Sequence, residues 1–211
     1  DFETPQIHSF VGVDAYELGF KTGTALSAAV IGQSWEETQV AVLINTDFST
    51  TDRRLYLEGI NEAVKSAQNL LIQLVISTTG GSISAEEQTQ SILKKYPGIK
   101  AIVCADASDT IGVAKVVVDF NKVSQITIIG SGFNEEIYKY IKLKVIWGVL
   151  ADDPYELGVQ GMLALLRLEQ GLSRYEIHHI PVRLITYENI DGFYQQQSIV
   201  EGEADGNRAH E

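Results

Sequence analysis

Residues 99–106, Ile-Lys-Ala-Ile-Val-Cys-Ala-Asp, constrain this chain more than any other stretch. The apolar run from Ile99 to Cys104 has the pattern of a strand buried on both faces, as at the centre of a parallel sheet. It stops at Asp106, and a helix is predicted over Thr110–Phe120, with Ser108 or Asp109 able to cap it. Open α/β sheets place their ligands just beyond the carboxyl ends of central strands. Asp106 therefore has two readings: a ligand-facing carboxylate, or with Asp109 a helix cap.

The same alternation runs through the chain. Strands are predicted at Ser9–Val13, 39–44, Leu71–Ile76, Gln125–Ile129, Val145–Leu150 and Pro181–Tyr187. Helices are predicted from Tyr16 to Ile31, around Ile60, Ala63, Val64 and Ala67, over Ala85–Lys95 and over Asn134–Ile141. A longer helix after Asp152-Asp153-Pro154 should turn Leu157, Gly161, Ala164, Leu165 and Leu168 inward. Strands and helices in this order imply an α/β fold whose parallel sheet is covered on both faces. Residues 191–211 read as a flexible tail, and from 196 onward they are rich in Gly, Asp and Glu.

Composition narrows the function. The 211 residues carry a formal net charge of −12, with no Lys/Arg cluster longer than two, so nucleic-acid binding by this portion is not expected. No apolar run is long enough to span a bilayer. The lone Cys104 sits inside an apolar strand, as a buried structural thiol does.

Catalytic and cofactor motifs fall away on inspection. Gly130-Ser-Gly-Phe-Asn follows a strand, but Glu135 stands where a phosphate loop has its third glycine, and a carboxylate there repels phosphate. Thr78-Thr-Gly-Gly-Ser-Ile lacks the lysine of a P-loop. No histidine cluster has metal-ligand spacing, and Asp152 with Asp153 ahead of Pro154 reads first as a helix cap. No nucleophile meets a base, so no enzyme, cofactor or metal is expected. Polar residues do recur at strand ends: Asp1, Arg53, Arg54, Asp106 and Asp152. Carboxylates with an arginine along one rim suit polyhydroxyl ligands, and Phe2, Phe48, Tyr56, Phe133 and Trp147 offer aromatic faces.

The order of motifs carries a resemblance. Phe10-Val-Gly-Val-Asp-Ala-Tyr-Glu-Leu-Gly, Arg54 through Glu58-Gly59-Ile60, Tyr96-Pro-Gly-Ile-Lys-Ala-Ile-Val-Cys-Ala-Asp, Ile128-Ile-Gly and Val149-Leu-Ala-Asp-Asp-Pro-Tyr-Glu-Leu-Gly follow one another with little gap. Over residues 1–190 the chain resembles the type I periplasmic sugar-binding protein family, in its ribose-binding-like branch. The effector domain of LacI-type repressors shares this core. The resemblance implies two Rossmann-like lobes joined by three crossing strands and closing on a small ligand. Residues 1–13 and 153–182 would be a remnant of the N-terminal lobe, and residues 14–152 with 183–190 a nearly complete C-terminal lobe. The chain then reads as a fragment of a longer protein.

Matched position by position, the resemblance puts Asp1, Phe2, Arg54, Tyr56, Asp106 and Asp152 at ligand-binding positions. Asp1 is the acid before the first crossing, and Phe2 stands where a basic residue is usual. Tyr56 replaces an expected arginine, with Arg54 half a turn earlier. The function implied is a solute-binding protein of an ABC-type importer, with a permease as partner, periplasmic or extracellular, with or without a lipid anchor. A LacI-type regulator and the sensory ectodomain of a membrane receptor or kinase are the alternatives.

Overall fold

The computed structural model describes residues 9–31, 37–65, 67, 69–171 and 176–195. The chain runs β1 (Ser9–Gly12), α1 (Ala15–Val30), β2 (Thr38–Asn45), α2 (Thr50–Val64), β3 (Leu70–Thr78), α3 (Ser82–Lys95) and β4 (Ile99–Cys104). It continues through α4 (Ala107–Asp119), β5 (Thr127–Ser131), α5 (Glu135–Lys142), β6 (Gly148–Ala151), α6 (Pro154–Glu169), β7 (Glu176–His179) and β8 (Arg183–Thr186). Two sheets result: a six-stranded one ordered β3-β2-β4-β5-β6-β8, and a two-stranded one in which β1 pairs with β7.

Side-chain alternation divides the larger core. Val40, Val42, Ile44, Ala101 and Val103 face α1 and α2, while Ala41, Leu43, Ile102 and Cys104 face α3, α4 and α5. Both faces of β2 and β4 are apolar because both are covered, which is why no polar residue interrupts Ile99–Cys104 except Lys100 near its start. Each aliphatic side chain buried there contributes on the order of 1.5–3 kcal/mol. Helices α1 and α2 meet backbone to backbone: a Cβ on Gly19 would stand 2.0 Å from the Tyr56 carbonyl oxygen.

Most helix starts are sealed by side chains. Asp14, Ser49, Asp106, Asn134 and Asp153 each accept a backbone N–H at the start of α1, α2, α4, α5 and α6. Such caps are worth about 1 kcal/mol each and leave a polar residue after nearly every strand.

Three expectations need correction. The final strand β8 runs antiparallel to β6, so the large sheet is not wholly parallel. Helix α6 has no buried residue, and Leu165 on its expected inner face is 61% exposed. The reason is width: among the described residues α6 rests on β1 of a sheet only two strands wide. Residues 191–195 are helical rather than a tail. Phe193 packs edge-on against Phe133 with ring centroids 4.9 Å apart, and Asp191 pairs with Lys142 at 2.9 Å. Residues 196–211 lie outside the described residues.

Candidate functional site

Three short connections carry the chain between the two sheets: residues 13–14 after β1, 152–153 after β6 and 180–182 after β7. They are tied together. Ile180 N donates to Gly12 O at 2.9 Å, and Lys21 Nζ donates to Val182 O at 3.0 Å. Beside these connections lie the carboxyl ends of the parallel strands. Strand β2 feeds α2 on one face, whereas β4 feeds α4 on the other, so the chain leaves the two neighbours in opposite directions. A crevice at such a switch point is where open α/β sheets hold ligands.

Strand β2 delivers Asn45, whose Oδ1 accepts Asp47 N at 2.8 Å and turns the chain toward Phe48. Arg53 begins the inward stripe of α2 that continues through Tyr56, Ile60 and Val64. Its guanidinium reaches back over the strand ends, Nη2 donating to Ile44 O at 3.2 Å and to Ser77 Oγ at 2.7 Å. Asp152 follows β6 at the second crossing and makes no hydrogen bond or ion pair among the described residues. Its neighbour Asp153 is committed to α6, accepting Tyr155 N at 3.1 Å and Glu156 N at 3.2 Å.

The structure treats the expected site residues unequally. Asp1 and Phe2 lie outside the described residues. Arg54 is turned away: one residue rotates a helix by about 100°, and its Nη1 pairs with Glu58 at 2.6 Å on the exposed side of α2. Tyr56 is fully buried in the α1–α2 core, its hydroxyl 3.5 Å from Thr22 Oγ1, so it presents no stacking face. Burial pushes its phenol pKa up. Trp147 lies before β6, at the opposite end of the strands, where it lines a separate pocket with Ala29, Thr127 and Tyr187. Phe48 and Phe133 remain at the rim, both half-buried.

Of the cap candidates Asp106, Ser108 and Asp109, the N-cap of α4 is Asp106: its Oδ1 accepts Asp109 N at 2.9 Å and Ser108 Oγ at 2.7 Å. Its Oδ2 is buried without a partner. Asp109 is wholly buried and accepts the Thr78 hydroxyl at 2.7 Å on Oδ2, while Oδ1 has no partner. Burial first, then the neighbouring Asp106, lifts the Asp109 pKa to about 7 against the Thr78 hydrogen bond. The sequence marked Asp109 only as a cap. The signal available was an acid three residues after another, at the start of the apolar stripe Ile111, Val113, Ala114 and Val117.

Among the described residues no group of His, Cys, Asp and Glu could hold a metal ion. The arrangement offers hydrogen-bond donors and acceptors along the carboxyl ends of the strands. It is suited to holding a polar molecule.

Comparison with known proteins is in keeping with this geometry. Residues 3–173 match the profile of the Periplasmic binding protein domain family. A curated relative, the D-allose-binding periplasmic protein of Escherichia coli strain K12, is 24% identical over 164 residues, covering 78% of this chain and 51% of the relative. Among solved structures, GanP, a glucose-galactose binding protein from Geobacillus stearothermophilus, superposes with a TM-score of 0.80 at 26% identity, over 90% of this chain and 66% of that one. A carbohydrate transporter solute binding protein from Agrobacterium radiobacter, solved with D-arabinose, gives 0.81 at 19% identity, over 89% and 64%, a likeness of fold alone. The chain thus spans about half the length of the curated relative and just under two thirds of these two solved chains.

Proposed function

The chain belongs to the periplasmic binding protein domain family, and on that premise we propose that it binds a sugar-like or other small polar ligand between two lobes, as the solute-binding component of an ABC-type importer. One lobe is the six-stranded sheet with α1–α5, over residues 14–152 and 183–190. The other contains β1, β7 and α6, over residues 1–13 and 153–182. The three crossings are the hinge, and ligand binding selects the closed arrangement of the lobes.

One observation carries this reading: Asp152, which makes no hydrogen bond or ion pair among the described residues, lies on a crossing at the same carboxyl-end rim of the sheet where Arg53 reaches over the ends of β2 and β3. A carboxylate accepts from two hydroxyls and a guanidinium donates back, which matches a polyol better than an apolar solute. In this reading Asp152 and Arg53 are the contacts from the larger lobe, and Asp1 and Phe2 contribute from the other. Asp106 acts indirectly, by holding the start of α4. The protein works outside the cytoplasmic membrane, free or lipid-anchored, delivers its ligand to a permease and performs no catalysis itself.

A thermal-shift screen against D-allose, D-glucose, D-galactose, D-arabinose and D-ribose, run on the full-length gene product and on this chain, tests the proposal. Ligand at a hundred times its dissociation constant adds about 2.7 kcal/mol of stability, a readily visible shift. A hit whose affinity falls at least tenfold in Asp152→Ala supports it. No shift with any of these sugars, or an affinity indifferent to Asp152→Ala, overturns it.

A further inference from the structure

The floor of the crevice holds a pair of acids that no sugar contact accounts for. Asp109 is wholly buried, and Asp106 stands directly before it at the mouth of α4. Each has one oxygen engaged and one idle. Asp106 Oδ1 accepts from Asp109 N and Ser108 Oγ, and Asp109 Oδ2 accepts from Thr78 Oγ1. Asp106 Oδ2 and Asp109 Oδ1 are both buried with no donor. Two ionised carboxylates left so would carry two unpaired acceptors and a mutual repulsion out of water, a costly arrangement.

A single proton removes both faults. We propose that Asp106 and Asp109 share one proton, held on Asp109 Oδ1 and donated toward Asp106 Oδ2, and that this acid pair locks the β4–α4 corner beneath the cleft until Asp109 ionises.

The surroundings support the assignment. Among the described residues, the titratable groups bearing on Asp109 are Asp106 and, from β4, the Cys104 thiol, whose own pKa is raised chiefly by burial. The Tyr56 phenol on α2 feels Asp106 from the other face of the sheet. Thr78, at the end of β3, donates to Asp109. No cation figures among these groups, so among the described residues no charged side chain offsets a second negative charge. Asp109 is the member to carry the proton because it is the more deeply buried, while Asp106 Oδ1 accepts the Asp109 backbone N–H at the start of α4. The titration of Asp109 toward about 7 agrees with this placement.

The consequence is a pH-sensitive corner. Below neutrality Asp109 is a carboxylic acid bridging Thr78 and Asp106, tying the ends of β3 and β4. Above it, the bridge becomes a repulsion. Asparagine at 109 reproduces the acid form, its carbonyl accepting from Thr78 and its amide donating to Asp106, and it cannot ionise.

The test needs no ligand, so its result is independent of whether the protein binds a sugar. The full chain, labelled with carbon-13 at the aspartate carboxyls, is titrated by NMR from pH 4 to pH 9. The expected result is one aspartate signal that keeps its protonated shift to near neutral pH, is missing in Asp109→Asn, and titrates at least one pH unit lower in Asp106→Asn. The melting temperature of Asp109→Asn should also fall less than that of the wild type between pH 5 and pH 8. Wild-type spectra in which every aspartate is ionised from pH 5 upward overturn the proposal, whether or not the variants fold. An Asp109 signal indifferent to Asp106→Asn overturns the sharing.

Discussion

Arg53 Nη2 donates to Ser77 Oγ at 2.7 Å, joining the first turn of α2 to the end of edge strand β3 across the tip of β2. The contact fixes a guanidinium over the carboxyl ends of β2 and β3, whereas Arg54 is spent on Glu58 in solvent. Arg53→Ala should therefore weaken ligand affinity at least tenfold, about 1.4 kcal/mol. Arg54→Ala should leave affinity unchanged and alter stability by no more than about 0.5 kcal/mol, as exposed ion pairs do. Isothermal titration with the sugar giving the largest thermal shift, alongside urea melts, separates the two arginines.

The aspartates at the second crossing should separate in the same way. Asp153 caps α6 through two backbone N–H groups, and Asp152 has no partner among the described residues. Asp153→Ala should cost about 1 kcal/mol of stability. Asp152→Asn should leave stability unchanged and lower ligand affinity. Chemical denaturation paired with calorimetry reads both quantities.

Stability should depend on pH through Asp109. Its folded pKa, about 7, lies above the ordinary value of 3.8, so between those pH values the folded chain binds more protons than the unfolded one. Stability is then fullest below pH 4 as far as this group is concerned, and is lost as pH rises toward and through 7. The loss is at most about 4 kcal/mol. Urea midpoints at pH 5 and pH 8 should show a fall in the wild type, and Asp109→Asn should lack this component.

Close helix packing predicts a glycine contrast. A Cβ on Gly59 would stand 2.2 Å from the Tyr16 carbonyl oxygen, while one on Gly158 of α6 meets nothing within 4 Å. Gly59→Ala should destabilise by about 2 kcal/mol, since α1 and α2 must move apart. Gly158→Ala should stabilise this chain by about 0.5–1 kcal/mol, through lower backbone entropy in the unfolded state. Thermal melts of the two variants should shift in opposite directions.

Exposure along α6 predicts dye binding. Leu165 is 61% exposed and Met162 58%, on a helix with no buried residue. A contiguous apolar surface of this kind marks an interaction face. The chain should bind an anilinonaphthalene dye in its folded state, and Leu165→Glu should reduce the fluorescence without lowering the melting temperature.

How far the sequence could be read differs from residue to residue. Ile99–Cys104 was legible to its last residue, because a strand buried on both faces admits no polar interruption in its centre. The inner stripe of α6 was legible as amphipathic but not as uncovered, since periodicity says which side is apolar and not what lies against it. Tyr56 and Arg54 occupied ligand positions in the resemblance, yet two residues turn a helix by about 200° and send one into the core and the other into solvent. Phe193 looked like part of a tail because Phe193 and Tyr194, adjacent in an otherwise polar stretch, carry no helical period. Its place is set by Phe133, sixty residues earlier in the chain.

What the sequence alone determined is local: which segments are strands and helices, where they start, and which acids and amides can seal a helix. Hydrogen bonding and solvent exclusion within a few residues decide those matters. The tertiary structure decided what only distant neighbours can decide. It set β8 antiparallel, sent β2 and β4 out on opposite faces, brought Arg53 over Ser77, and buried Asp109 beneath Thr78. Asp106 and Asp109 show the division well. Their spacing announces a helix cap, but the charge each can carry depends on burial and on the groups the fold packs around them.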